Sequence, residues 1–218
     1  MTTPATRIPS LEEAVREQAA LSGRHASLLE AFVAEHPASG LGRALSVWAR
    51  ADSFDEAGLK SRMVTAFELA KAEGPRETSL VYGIFLCALR QDRLAAEHLL
   101  RHFADFPADE TAALMLHAFG GVTDPDLRRA GAELVERQAR LAGPESWLWA
   151  QWTAWTRVEQ GRTDEGVEAA ERALSLFSRA GRAVHALAHA DHERGAGPQA
   201  VARTDGWLLR NPGASQRP

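Results

Sequence analysis

Apolar side chains recur at steps of three and four along most of the chain, and no segment alternates with period two. That pattern predicts helices joined by short turns and no sheet. Ser10-Leu-Glu-Glu13 reads as a capping box opening a helix that ends near Gly23. A second helix runs from Arg24 to His36 with Leu28, Leu29, Phe32 and Val33 on one face, and Pro37 stops it. Ser39–Ala51 follows, and Asp52-Ser-Phe-Asp55 opens the helix Glu56–Glu73, with Leu59, Met63, Ala66, Phe67 and Ala70 at helical spacing. Gly74-Pro75 breaks it, and Pro75 suits the first turn of the next helix, which runs to about Gln91 and is apolar nearly all round. Further helices are predicted at Leu94–Phe106, Thr111–Phe119, from the Thr123–Asp126 cap to about Ala142, and at Glu145–Gln160. Thr163–Arg179, Arg182–Arg194 and Pro198–Arg210 complete the series. Residues 1–9 are expected to be disordered and residues 211–218 to be a flexible polar tail, leaving 10–210 as one helical domain.

The phase of the breaks carries more information than any one helix. Gly161 and Gly195 lie 34 positions apart, and the stretch between them is one helix, a short break and a second helix. This is the period of the tetratricopeptide repeat. Gln91-Asp92 precedes Gln160-Gly161 by 69 positions, or two such periods, and the repeat between them, around Gly120–Asp124, is degenerate. Each helical hairpin has an apolar face that only a neighbouring hairpin can cover. The expected fold is therefore all-α: a right-handed α-α superhelix, a tetratricopeptide-like solenoid of about five to six helical hairpins.

Bulk composition narrows the classes. Hydrophobic residues make up 45% and charged residues 25%, and the net charge of -4 comes from mixed signs. There is no basic footprint, so no nucleic-acid partner is expected. No apolar run approaches the roughly 18 residues of a membrane span, and none follows the first residues as a signal peptide would require. A cytoplasmic location without membrane contact is the expectation. Cys87, the one cysteine, lies in the apolar run Ile84–Leu89 and reads as a buried thiol rather than a nucleophile. There is no Gly-rich phosphate loop, no Gly-x-Ser-x-Gly and no His-Glu-x-x-His, so no cofactor is expected.

Ala183-Val-His-Ala-Leu-Ala-His189, followed by Glu193-Arg-Gly195, resembles a segment of the tetratricopeptide repeat protein thirty-eight family. Arg76-Glu77, Gln91-Asp92, Leu116-His117 and Gly161–Gly166 fall in the matching order, and the resemblance covers roughly residues 39–210. It implies a tetratricopeptide-like superhelix corresponding to about the N-terminal half of that family, and it implies no assigned reaction. Family members are about twice as long. A family histidine in the helix matching Glu145–Gln160 falls near Thr153, and a family glutamate appears as His192. A homodimer or another partner could replace the half that is absent here.

His185, His189 and His192 are the sharpest chemical feature. Steps of four and then three place them within about 60° of one another on a helix, and Arg182 lies on the same stripe. Imidazoles suit acid–base work near neutral pH, and like-charge repulsion from Arg182 would favour a neutral His185. The plainer alternative is a solvated histidine face or histidines bonded to neighbouring helices. A metal is not expected, because two ligands at His-x-x-x-His spacing lack a placed carboxylate. His117 sits in an apolar helix and reads either as a satisfied core residue or as a member of the same site. Glu77 and Glu68 are candidate carboxylate partners, with a first-turn role and a solvated role as their alternatives. Trp149, Trp152 and Trp155 cover one broad face beside Thr153, either as core or as an aromatic wall for a ligand.

Two functions follow from this reading. In the first, the concave inner face binds a peptide or protein partner, a small ligand or a second copy of the chain. In the second, a pocket lined by His117, His185, His189 and His192, with Arg182 and the tryptophans, performs cofactor-independent acid–base chemistry on a small molecule: an elimination, a hydrolysis or a cyclisation. An open, adaptable groove would favour the first and a compact pocket with convergent histidines the second.

Overall fold

The computed structural model describes residues 9–214, which form eleven α-helices and two 3-10 segments with no strand. The expected disordered start, residues 1–9, lies outside the described residues except for Pro9, and the expected tail, 211–218, is described to Ala214. The α-helices are α1 (Leu11–Ala19), α2 (His25–Glu35), α3 (Gly40–Trp48), α4 (Glu56–Glu73), α5 (Pro75–Ala88) and α6 (Asp92–Asp105), then α7 (Pro125–Ala142), α8 (Trp147–Glu159), α9 (Thr163–Leu176), α10 (Gly181–Glu193) and α11 (Gly197–Arg210). The 3-10 segments are Ala51–Ser53 and Ala112–Gly121. α10 begins 34 residues after α8, and α11 begins 34 residues after α9. This is the spacing read from the glycines.

Local chemistry sets most boundaries. Ser10 and Asp55 cap α1 and α4 by accepting from the amides of Glu13 and Gly58. Pro75 and Pro125 occupy first turns. α1 stops at Ala19, short of Gly23, because Leu21 and Gly23 take positive φ and turn the chain into α2. Thr111–Phe119, expected to be an ordinary helix, is instead a ten-residue 3-10 segment. Runs of this kind rarely exceed 3–4 residues. Here Asp109 takes the amides of Thr111 and Ala112 at its start, and nearly every side chain from Ala112 to Phe119 is buried, so the packing around it holds the tighter winding.

The helices pair as α1/α2, α3/α4, α5/α6, the long 3-10 segment with α7, α8/α9 and α10/α11. The first members of successive pairs touch (α3 with α5, α5 with the 3-10 segment, α8 with α10), while α4, α6, α7 and α9 lie outside them and each packs on the next first member. The result is an α-solenoid with an inner and an outer layer.

Small residues set the approach within pairs. A Cβ on Gly40 would sit 2.3 Å from the Ala70 nitrogen and 2.6 Å from the Ala66 carbonyl oxygen, so α3 crosses α4 with its backbone nearly in contact. Glu73, at the end of α4, accepts from the amides of Gly40 and Leu41 and thereby caps α3 from a distance. Gly40→Ala should push the two helices apart and cost about 1–3 kcal/mol, read as a lower denaturation midpoint at unchanged slope. A cost within about 0.3 kcal/mol would show that the crossing relaxes freely.

The first helix does not simply begin the stack. α1 packs on the long 3-10 segment, Gln151 of α8 donates to the Ala19 carbonyl, and the Gly181 amide of α10 donates to the Ala20 carbonyl. Arg179 grips Glu17 through both carboxylate oxygens, at 2.6 and 2.9 Å. The Gly213 carbonyl meets Gly23, whose Cβ would lie 1.8 Å from it, so the C-terminal end of the described chain reaches the turn between α1 and α2. Part of the inner face is thus covered by α1.

Candidate functional site

What α1 leaves uncovered is a row of rings and charges drawn from four inner elements. Trp48 of α3 stacks on His117 of the 3-10 segment, with ring centroids 5.7 Å apart. The Arg182 guanidinium of α10 lies 3.9 Å from the ring centroid of Trp152 of α8. Trp155, one turn further along α8, touches His185 and His189 at 4.8 and 4.9 Å, and those two imidazoles are 4.8 Å apart. Trp48, His117, Arg182, His185, Trp155 and His189 are all half-buried, while Trp152 beneath them is buried. The α8–α10 part of the row follows from spacing: Trp152 and Trp155 on α8 face Arg182, His185 and His189 on the helix one repeat later.

Electrostatics within the row run in one direction. His185 is pushed from 6.5 to about 4, by burial first, then by His189 and by Arg182. Burial is also the main reason His117 lies below its usual value, with Arg182 adding repulsion, although its Nδ1 lies 3.1 Å from the Leu114 carbonyl. Burial lowers Arg182 itself to about 10. His189 has a carboxylate nearby, Glu159 at 3.6 Å. Arg182 shifts His185 in the expected direction, but burial is the larger cause and His189 stands before Arg182.

The remaining candidates lie elsewhere. His192 is exposed at the end of α10. Trp149 and Thr153 turn away from the row and line a hollow of about 660 Å³ between α7, α8 and α9. There the Trp149 Nε1 and Thr153 Oγ1 are buried without partners, and Trp149 sets its edge against Phe103 at 5.8 Å. The three tryptophans thus divide between two faces of α8, because a helix only 13 residues long is enclosed by α7, α9 and α10. Glu68 is exposed and paired with Lys71 at 2.7 Å. Glu77 pairs with Arg76 at 2.8 Å at the start of α5. Cys87 is buried, and its thiol is raised to about 12, beyond nucleophile range. Among the described residues, no three His, Cys, Asp or Glu side chains converge as a metal ion would need.

One cluster escaped the sequence reading. Asp109 only accepts, so the Nε2 proton of His102 faces its Oδ2 at 3.2 Å, and Nδ1 is left to take the Ser79 hydroxyl at 2.9 Å. Arg76 also grips Asp109, at 2.7 and 2.8 Å, and His98 Nε2 donates to the Ser79 carbonyl at 2.8 Å. Hydroxyl, imidazole and carboxylate stand in the order of a hydrolytic triad. Here, however, Asp109 is also spent on an arginine and two amides, and His102 is fully enclosed. Ser79 sits in the body of α5, whose amides serve the helix, so no donor pair faces its oxygen. The cluster is a clasp that ties α5, α6 and the turn before the 3-10 segment. The signal for it was present as His98-x-x-x-His102, the same spacing that drew attention to α10.

No helix among the described residues is long and apolar enough to cross a membrane. No family model matches the chain, and no curated protein does. Among solved structures, the chain is similar to one titled "MamA AMB-1 P212121", with a TM-score of 0.48 and 19% identity over 84% of this chain and 95% of that one.

Proposed function

We propose that this protein is a helical-repeat binding protein whose uncovered inner row takes a small ligand. The observation that carries the reading is the convergence of Trp48, His117, Trp152, Trp155, Arg182 and His185 from α3, the 3-10 segment, α8 and α10. Half-buried aromatic rings with a few polar groups among them are the usual lining of a ligand site. α1 covers part of the inner face through the 3-10 segment, Gln151 and Gly181, which takes that part away from an extended peptide. The resemblance to the thirty-eight family supports the same stretch, since His117 and the Ala183–His189 segment carry it.

The acid–base reading receives less support. A general base works best with a pKa near the working pH. At about 4, His185 is a weak base whose neutral ring is better suited to giving and taking hydrogen bonds.

The test is an indole N–H spectrum of the protein titrated with a mixture of small aromatic acids, amides and amines. Signals of Trp48, Trp152 and Trp155 should move, and that of Trp207, bonded to the Ser178 carbonyl, should not. Trp155→Ala should remove the response. Movement confined to Trp149 would relocate binding to the α7–α9 hollow and overturn the reading.

A further inference from the structure

We propose that Arg182 is the anchor for the carboxylate of a small, flat organic acid. This inference rests on the binding reading above and adds the chemical class of the ligand.

Among the described residues, the other half-buried arginines are satisfied: Arg76 has Asp109 and Glu77, Arg157 has Glu136, Arg179 has Glu17, and Arg43 donates to the Pro37 carbonyl. Arg182 has no carboxylate within ion-pair distance and no hydrogen bond among the described residues; its one close partner is the face of Trp152. It also sits in the first turn of α10, where a cation opposes the helix dipole. A desolvated guanidinium in such a place is costly unless a negative charge joins it.

Its surroundings lack the same thing. His117 and His185 are both held toward the neutral form, and Arg182 contributes to each. The carboxylates nearest the row are committed or distant: Glu159 lies beside His189, and Asp92 reaches His117 only through space. One added negative charge would relieve all three groups at once. A single guanidinium fork between neutral imidazoles matches a planar monoanion, which it can hold through two parallel N–H bonds. Trp48 and Trp155, packed on the two histidines that Arg182 acts on, offer rings suited to a flat apolar body attached to that carboxylate.

The experiment titrates the full chain with indole-3-acetate, benzoate, their two amides and inorganic phosphate, followed by tryptophan fluorescence and calorimetry. Both acids should bind saturably, with each amide at least about 30-fold weaker. Arg182→Gln should bring the acids down to the level of the amides without changing the amides. Arg182→Lys, which keeps the charge but not the fork, should fall between. Because Arg182 has no carboxylate partner, the Arg182→Gln variant should melt no lower than the wild type; a clear drop in Tm would assign the side chain to packing and overturn the inference. Equal binding of acids and amides, acid binding that survives Arg182→Gln, or phosphate binding tighter than either acid would each overturn the carboxylate anchor while leaving the binding reading standing. Absence of binding by every probe would overturn both.

Discussion

Asp109→Ala is expected to lower the stability of this protein by about 3–5 kcal/mol, the cost of stripping one partner from a buried ion pair. Asp109 is 7% exposed and accepts from His102, from two Arg76 nitrogens and from the amides of Thr111 and Ala112. Burial by itself would raise its carboxyl, yet His102 and Arg76 hold it below the ordinary carboxylate range. Truncation leaves the enclosed His102 without its acceptor and Arg76 with Glu77 and the Thr111 hydroxyl, and it removes the acceptor that starts the 3-10 segment. That segment supports His117 and the contact with α1, so the loss should be cooperative. Chemical denaturation compares it with Glu68→Ala, which breaks only the exposed pair with Lys71 and should stay within about 0.5 kcal/mol of wild type. A cost for Asp109→Ala below about 1 kcal/mol would mean that the clasp is not a structural tie.

The second large effect is loss of stability in acid. His185 has a folded pKa of about 4 against 6.5 for the free side chain. Between those values the unfolded chain takes up a proton that the folded chain refuses, so stability is full above about pH 6.5 and falls as the pH drops toward 4. The shift corresponds to up to about 3 kcal/mol, with about 2 kcal/mol of it gone by pH 5. His25, His98 and His117 are also shifted downward and act with the same sign. Below that window Asp109, held low by His102 and Arg76, and Glu17 and Glu136, held low by arginines, become protonated and add a further loss. The check is the thermal midpoint from pH 7.5 to 4.5 for wild type and His185→Gln. The variant should show the shallower decline. Parallel curves would mean that His185 titrates as a free imidazole.

Both effects depend on groups whose surroundings the chain order conceals. Helix identity was open to sequence reading because period, caps and breakers act within a few residues: Glu56–Glu73 and the first-turn Pro75 emerge from Asp55, Gly74 and the apolar spacing alone. The repeat was open for the same reason, since Gly161 and Gly195 mark two equivalent turns. The stripe of His185, His189 and Arg182 could be drawn as a stripe because α10 is regular.

The environment of that stripe was a tertiary matter. That Arg182 would rest on Trp152 instead of an acid depends on how α8 and α10 cross. The separation of Trp149 and Thr153 from Trp152 and Trp155 depends on which neighbouring helix each side of α8 meets. The Ser79–His102–Asp109 clasp joins residues up to 30 positions apart across three elements. Local periodicity determined most of the helices and the stripe of α10 on which its charged residues stand. Only the folded chain decided which of those charges lost their water, because desolvation is set by what packs on a side chain from elsewhere, and no spacing within one helix encodes it.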